Sequence, residues 1–243
     1  MQNETISQVS PQKTVLLFGA SRGLGFAMAQ AYLRRGWHVI ATARQGSSGA
    51  LDALVDSLGA AVGGALEVET VDIAIPAQVT ALRERLAGRR VDLLFVNAGV
   101  KNDDRETIAD VSTEEFVRVM VTNALSPMRV IETFESLVPP GGTLGVMSSG
   151  QGSVTNNTNG HYEVYRASKA ALNMLMRSFA ARHGDDTRTL LLTAPGWVRT
   201  DMGGADARLS IDESIPHLID TITAHEGRAG LHYVDYLGRT VPW

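Results

Sequence analysis

The sequence contains no cysteine, so neither a disulfide nor a thiolate metal site can form. Its six histidines show no HExxH-type spacing, which leaves chemistry that is metal-free or borrows an organic cofactor. Long apolar runs are missing as well. The longest, such as VLLF and LLFV, fall far short of the ~20 residues that cross a bilayer, and the polar start MQNETISQVSPQ has no signal-peptide core. Nor is there an excess of positive charge. The net charge is −4, the pI is near 5.9, and the basic residues are scattered, which argues against nucleic acid or an anionic membrane surface as the main partner. These absences point to a cytoplasmic protein that acts on a small molecule.

What is present is ample apolar sequence, 44% of 243 residues, enough for the core of one large domain. Runs rich in Val, Leu and Ile recur at 14–20, 37–44, 66–73, 91–99, 143–149 and 189–196, with LHYVDYLGRTVPW offering a last edge strand. Continuous rather than alternating apolar runs suit strands covered on both faces. Between them lie helical patterns with end signals, among them Pro76 for one first turn and Ser112 with Glu115 for another. The expectation is a single α/β domain over residues 13–243, a doubly wound, Rossmann-type parallel sheet of about seven strands with helices on both faces. Residues 1–12 read as a polar extension.

VLLFGASRGLGFAMAQAYLRRG reads as strand, glycine-rich turn, amphipathic helix. In such a unit Gly19 turns sharply off the strand, Gly23 lets the backbone approach a pyrophosphate, and Gly25 lets helix and strand pack closely. The phosphates then meet the N–H groups and dipole of the helix N-terminus. The plainer alternative is a tight strand–helix turn.

HYEVYRASKA, residues 161–170, holds two tyrosines, each with a cation four places on: Tyr162 with Arg166 and Tyr165 with Lys169. A free phenol ionises near pH ~10, so exchanging a proton near neutrality calls for a fixed neighbouring cation. Residues four apart share a helix face. Tyr165 and Lys169 continue into Leu172, Met176 and Phe179, whereas Tyr162 and Arg166 continue into Ala170, Asn173 and Arg177. The first stripe is expected to face the sheet and the second solvent or another subunit, which selects Tyr165.

A hydroxyl donor beside that tyrosine would stabilise charge growing on a substrate oxygen. Ser148 and Ser149 end the fifth strand, and Ser153 is a weaker rival. In STEEFVRVMVTNALSPMRVIETFESL, Pro127 lies four residues after Asn123 and has no N–H, so the helix leaves the Asn123 carbonyl without its usual partner. After the second strand comes Arg44, with no acid until Asp52, and Arg22 sits in the glycine loop. Two cations and no acid suit the 2′-phosphate of NADP(H) rather than the bare ribose of NAD(H), unless both are merely solvated.

The GxxxGxG spacing, NAG at 97–99, YRASK at 165–169 and APGWVRTDM at 194–202 together resemble the short-chain dehydrogenase/reductase family from about residue 13 to the end. Within it, MSS…NTNGHYEVYRASKAALN, PGWVRTDMGG and the final VPW are most similar to the C-factor-like and Sniffer-like carbonyl reductase branch. The resemblance implies a catalytic tetrad of Asn123, Ser149, Tyr165 and Lys169. Ser149 is the second of its serine pair, 16 residues before Tyr165, a longer spacing than is common in the family. Lys169 is expected to depress the Tyr165 pKa and orient the cofactor ribose, and Asn123 to kink its helix and hold a relay water.

For the cofactor the same resemblance implies Gly19, Ser21, Arg22, Gly23, Leu24, Gly25, Arg44, Asp72, Ile73, Asn97, Ala98, Gly99, Tyr165, Lys169, Pro195, Gly196, Val198 and Thr200. Several of these also suit simple turn chemistry. NADP(H) is the preferred cofactor and NAD(H) the alternative; no metal is expected. Residues 203–220 correspond to the family's variable substrate lid, and Asn156, Asn157 and His161 either line the cleft or form a polar loop. Relatives associate through the helices carrying Asn123 and Tyr165, so a homodimer or homotetramer is expected. The implied activity is reversible reduction of an aldehyde or ketone to an alcohol. The rival is an NADP(H)-binding sensor with little turnover, a role in which a matched Tyr, Lys, Ser and Asn would have no use.

Overall fold

A computed structural model describes residues 12–63 and 65–243; the polar extension read over residues 1–12 lies, apart from Gln12, outside the described residues. Seven strands form one sheet: β1 (Thr14–Phe18), β2 (His38–Ala43), β3 (Leu66–Thr70), β4 (Leu93–Val96), β5 (Thr143–Met147), β6 (Thr189–Ala194) and β7 (Gly230–Asp235). All are parallel, in the order β3-β2-β1-β4-β5-β6-β7. β1 to β6 each fall inside an apolar run, β7 starts one residue before LHYVDYLGRTVPW, and the alternating pleat sends neighbours to opposite faces. Leu16 and Phe18 of β1 pack into one core, and Val15 and Leu17 into the other.

Among the described residues, seven α-helices cover these faces: α1 (Gly23–Arg34), α2 (Gly49–Gly63), α3 (Pro76–Arg85), α4 (Thr113–Met120), α5 (Ser126–Phe134), α6 (Glu163–Arg182) and α7 (Ile211–His225). One core gathers Val79, Phe134, Leu172, Met176 and Phe179 against Leu16 and Phe18, with the rings of Phe18 and Phe134 edge to face at 5.2 Å. The other gathers Met28, Tyr32, Leu51, Leu218 and Ile219. Pro76 occupies the first turn of α3, and the Ser112 side chain accepts the Glu115 N–H to start α4.

Two segments take a more definite form. Within the lid read over 203–220, Ser210 and Glu213 form a reciprocal capping box that starts α7, whose Ile215, Leu218 and Ile219 are buried. Only 203–210 remain as irregular chain, because an amphipathic helix with a firm N-cap is more stable packed on the sheet than open. Between α4 and α5 the chain does not simply kink. Residues Val121–Leu125 widen into a π-helical turn, with the Ser126 N–H reaching the Val121 carbonyl. A wide turn just before Pro127 accommodates a residue that has no N–H to give.

Candidate active site

The order in which strands are added reverses between β1 and β4, and the loops leaving their C-terminal ends frame a crevice. Gly19 and Gly23 have φ of 83° and 55°, a region in which a side chain is strained. A methyl group at Gly25 would sit 2.1 Å from the Gly19 carbonyl oxygen and 2.6 Å from Asn97 Nδ2. Asn97 itself donates to the Gly19 carbonyl at 2.8 Å, tying the ends of β1 and β4 together. By contrast, a methyl at Gly23 would meet only Thr200, 3.7 Å away. The N-terminus of α1 has no side-chain cap and no acid in its first turn, so its N–H groups are left for an anion. This cradle fits the pyrophosphate of a dinucleotide, with Ser21, Arg22 and Leu24 on its rim.

Arg44 directly follows β2, is exposed, and makes no ion pair among the described residues. Arg22 is exposed too, but it is paired with Asp201 across the crevice mouth. Asp72 is drawn into turn chemistry: its carboxylate accepts the Ala74 N–H at 2.9 Å, and its neighbour Ile73 is buried. Ala98 N–H bonds the Phe18 carbonyl at 3.2 Å. On the other side, Pro195 accepts from Ser214 Oγ at 2.7 Å. Gly196 is exposed with φ 84°, Val198 is buried, and Thr200 Oγ1 accepts the Gly203 N–H at 3.0 Å.

The two tyrosines of HYEVY part company. Tyr162 precedes α6 in a left-handed conformation, φ 63°, so it shares no helix face with Arg166. The Arg166 guanidinium instead donates to the His161 carbonyl and to Asn159. Tyr165 and Lys169 lie on α6, with Lys169 Nζ 5.8 Å from the Tyr165 ring centre and bonded to the Met147 carbonyl at 2.9 Å. The solvent-facing stripe is also corrected, for Asn173 is buried.

The three serines separate in the same way. Ser148 is buried and donates to Asn173 Oδ1 at 2.6 Å; Ser153 is buried and engaged with Asn156 and Trp243. Ser149 is part-exposed; its hydroxyl accepts the Gln151 N–H at 3.1 Å and lies near enough to the Tyr165 phenol to favour its ionisation. Asn123 is fully buried. Its side chain clamps Val100 at both N–H and carbonyl, at 2.8 and 2.7 Å, and donates to Ser168 Oγ at 2.9 Å. A methyl at Gly99 would lie 3.3 Å from Asn123 Oδ1 and 3.5 Å from Lys169 Nζ, so these three groups converge at the crevice.

Burial dominates the electrostatics. It pushes the Tyr165 phenol up to about 12, with hydrogen bonding to Ser149 working the other way. It pushes the Lys169 ammonium down to about 8. Lys169 was expected to bring the Tyr165 phenol below its ordinary value; within the protein alone burial leaves it above that value. The ammonium stands 5.8 Å from the ring centre and spends a hydrogen bond on a backbone carbonyl.

A seven-stranded parallel sheet with a glycine cradle at its switch point and a Tyr–Lys pair beside it defines a dinucleotide-dependent oxidoreductase. The chain belongs to the short-chain dehydrogenase family, whose model matches residues 13–208. It is similar to the structure of a protein described as a short-chain dehydrogenase/reductase from Burkholderia multivorans, with bound NADP: TM-score 0.92, 56% identity, covering 96% of this chain and 100% of that one. A carbonyl reductase from Pseudomonas aeruginosa PAO1, in complex with NADP, gives a TM-score of 0.86 at 37% identity over 96% of this chain and 100% of that chain. The carbonyl reductase Sniffer of D. melanogaster gives 0.83 at 25% identity, again over 96% and 100%.

Proposed function

We propose that this oxidoreductase is an NADPH-dependent carbonyl reductase, reversible as an alcohol dehydrogenase, with Tyr165 as general acid and base. One observation carries the reading above others: Lys169 Nζ, Asn123 and Gly99 converge where Ser149 lies near the Tyr165 phenol, beside an uncapped helix N-terminus. The NADP named with two of the similar structures supports the same cofactor here.

Gly19, Ser21, Gly23, Leu24 and Gly25 would hold the pyrophosphate against α1. Arg44, which has no competing acid among the described residues, would take the 2′-phosphate, with Arg22 sharing itself between that phosphate and Asp201. Asp72, Ile73 and the Asn97–Gly99 turn would border the adenosine, and Pro195, Gly196, Val198 and Thr200 the nicotinamide. When bound, NADPH supplies the hydride. The protein does the rest. Ser149 donates to the carbonyl oxygen as charge grows there, and Tyr165 delivers the proton. A phenol held well above neutrality stays protonated and ready to donate during reduction. Lys169 orients the ribose, and Asn123 fixes Val100 and Ser168 around it. Met120, Leu125, Met174 and Leu175 line an apolar hollow on α4, the π turn and α6, which supports assembly as a homodimer or homotetramer.

The test is NADPH oxidation across aldehydes, ketones, quinones and dicarbonyls, with NADH alongside. Tyr165→Phe is expected to lose about 10²–10⁴-fold in turnover while fluorescence titration shows NADPH still bound. Unchanged turnover rejects the assignment of Tyr165. A wild type that binds NADPH tightly yet reduces nothing favours the sensor, and NADH used as well as NADPH rejects the role of Arg44.

A further inference from the structure

Tyr233 belongs to none of the motifs, yet it reaches the candidate site from the edge of the sheet. It lies on β7, 2% exposed, and its hydroxyl donates to the Ser149 backbone carbonyl at 2.5 Å. Burial raises the pKa of this phenol, with the nearby Asn173 and Ser148 working the other way. Ser148 is in turn bonded to Asn173, whose Nδ2 donates to the Gly152 carbonyl at 3.2 Å. The chain after β7 continues the grip. The Trp243 carbonyl accepts from the Thr155 N–H and hydroxyl at 3.0 and 2.7 Å, and the Tyr233 and Trp243 rings lie 5.4 Å apart.

Ser149 sits just past the end of β5, where the ladder no longer fixes its peptide, and it caps a single 3₁₀ turn, Gly150–Gly152. Rotating that peptide would swing the hydroxyl. That carbonyl already accepts the Gly152 N–H at 2.9 Å within the turn; the Tyr233 hydroxyl is a second, buried donor that ties the turn to β7 and restricts its rotation as a unit. We propose that Tyr233 is a positioning residue: by bonding the Ser149 carbonyl it holds the Ser149 hydroxyl against the Tyr165 phenol. This inference rests on the reductase reading.

The test compares Tyr233→Phe, Ser149→Ala and the double variant, using NADPH and a reactive dicarbonyl. Phenylalanine keeps the ring, and NADPH titration checks that each variant is folded. Tyr233→Phe is expected to lower kcat about tenfold, since small misplacements of a reacting group are costly, with the KM for NADPH within about twofold. Ser149→Ala should lose about 10²-fold or more. Adding Tyr233→Phe to Ser149→Ala should then change kcat no further, because the tyrosine acts only through the serine hydroxyl. Full kcat in Tyr233→Phe, or losses that simply multiply in the double variant, overturns the proposal; so does a Tyr233→Phe protein that cannot bind NADPH, which would assign the residue to folding. A wild type inactive on every carbonyl overturns the reductase reading and this inference with it. An active wild type beside an indifferent Tyr233→Phe removes this inference alone.

Discussion

Lys169 is 3% exposed and has one fixed partner, the Met147 carbonyl, so its ammonium is kept at a cost. The folded protein holds its pKa down at about 8 from 10.5. At neutral pH the amine is charged in both folded and unfolded chains, and the penalty, about 3 kcal/mol at 1.36 kcal/mol per pKa unit, is carried in full. Between pH 8 and 10.5 the unfolded chain binds the proton that the folded one releases, so this contribution makes stability rise with pH and removes the penalty by the top of that window. Tyr165 acts in the opposite sense higher up: raised from 10 to about 12, it takes stability away as pH climbs through that range. Lys169→Met is therefore expected to raise Tm at pH 7 by roughly 5 °C, after allowing for the unpaired Met147 carbonyl, while turnover is lost. The gain should shrink as the pH approaches 10. A lower Tm at pH 7 would show the lysine to be stabilising, and a gain independent of pH would show that its penalty is not the buried charge. At this scale the sequence was legible where residues share a helix, as Tyr165 and Lys169 do. It was not legible where a side chain answers to distant chain: nothing in SSGQGS shows that Ser148 will be taken by Asn173 and Ser149 left part-exposed.

Among the elements, the turn from β1 into α1 separates packing from binding. Gly25 has no room, since a methyl there would lie 2.1 Å from a backbone oxygen that cannot move without shifting β1. Gly23 has room, but its φ of 55° strains any side chain. Gly25→Ala should thus cost about 1–3 kcal/mol or more, visible as a fall in Tm, and abolish NADPH binding. Gly23→Ala should cost only about 1 kcal/mol yet weaken NADPH binding at least as sharply relative to its stability loss. Equal Tm values for the two variants would contradict this division. The strands were readable because both-face burial writes continuous apolar runs. The capping signals of α3 and α4 were readable for the same local reason. The start of α7 was also written locally, in Ser210 and Glu213, but sits inside a stretch that resembles a variable lid, and the resemblance concealed it. The π turn is different. Pro127 announces a missing donor, yet whether the chain kinks or widens depends on Asn123 being clamped to Val100 and Ser168.

For the whole molecule, the order β3-β2-β1-β4-β5-β6-β7 brings the loops after β1, β4, β5 and β6 to one edge, a gathering that the sequence offered only through the family resemblance. Tyr233 could not be predicted in this way, because its partner is 84 residues away and no pattern links them. The same holds for surfaces: α4 and α6 were expected to bear a subunit contact, but only the fold shows which side chains remain uncovered. Val117, Leu125, Met174 and Leu175 are 49%, 40%, 63% and 40% exposed, and the last three line one hollow with Met120, Val121, Ala124 and Ala171. No helix among the described residues is long and apolar enough to cross a membrane. Two copies related by a two-fold axis would cover this face with itself, each Met174 and Leu175 entering the partner's hollow. Sedimentation at micromolar concentration is expected to give at least twice the 26.0 kDa protomer, and Met174→Asp with Leu175→Asp to give a smaller species that still binds NADPH, because neither side chain reaches the crevice. A wild type that sediments as a monomer would refute the assembly without touching the tetrad.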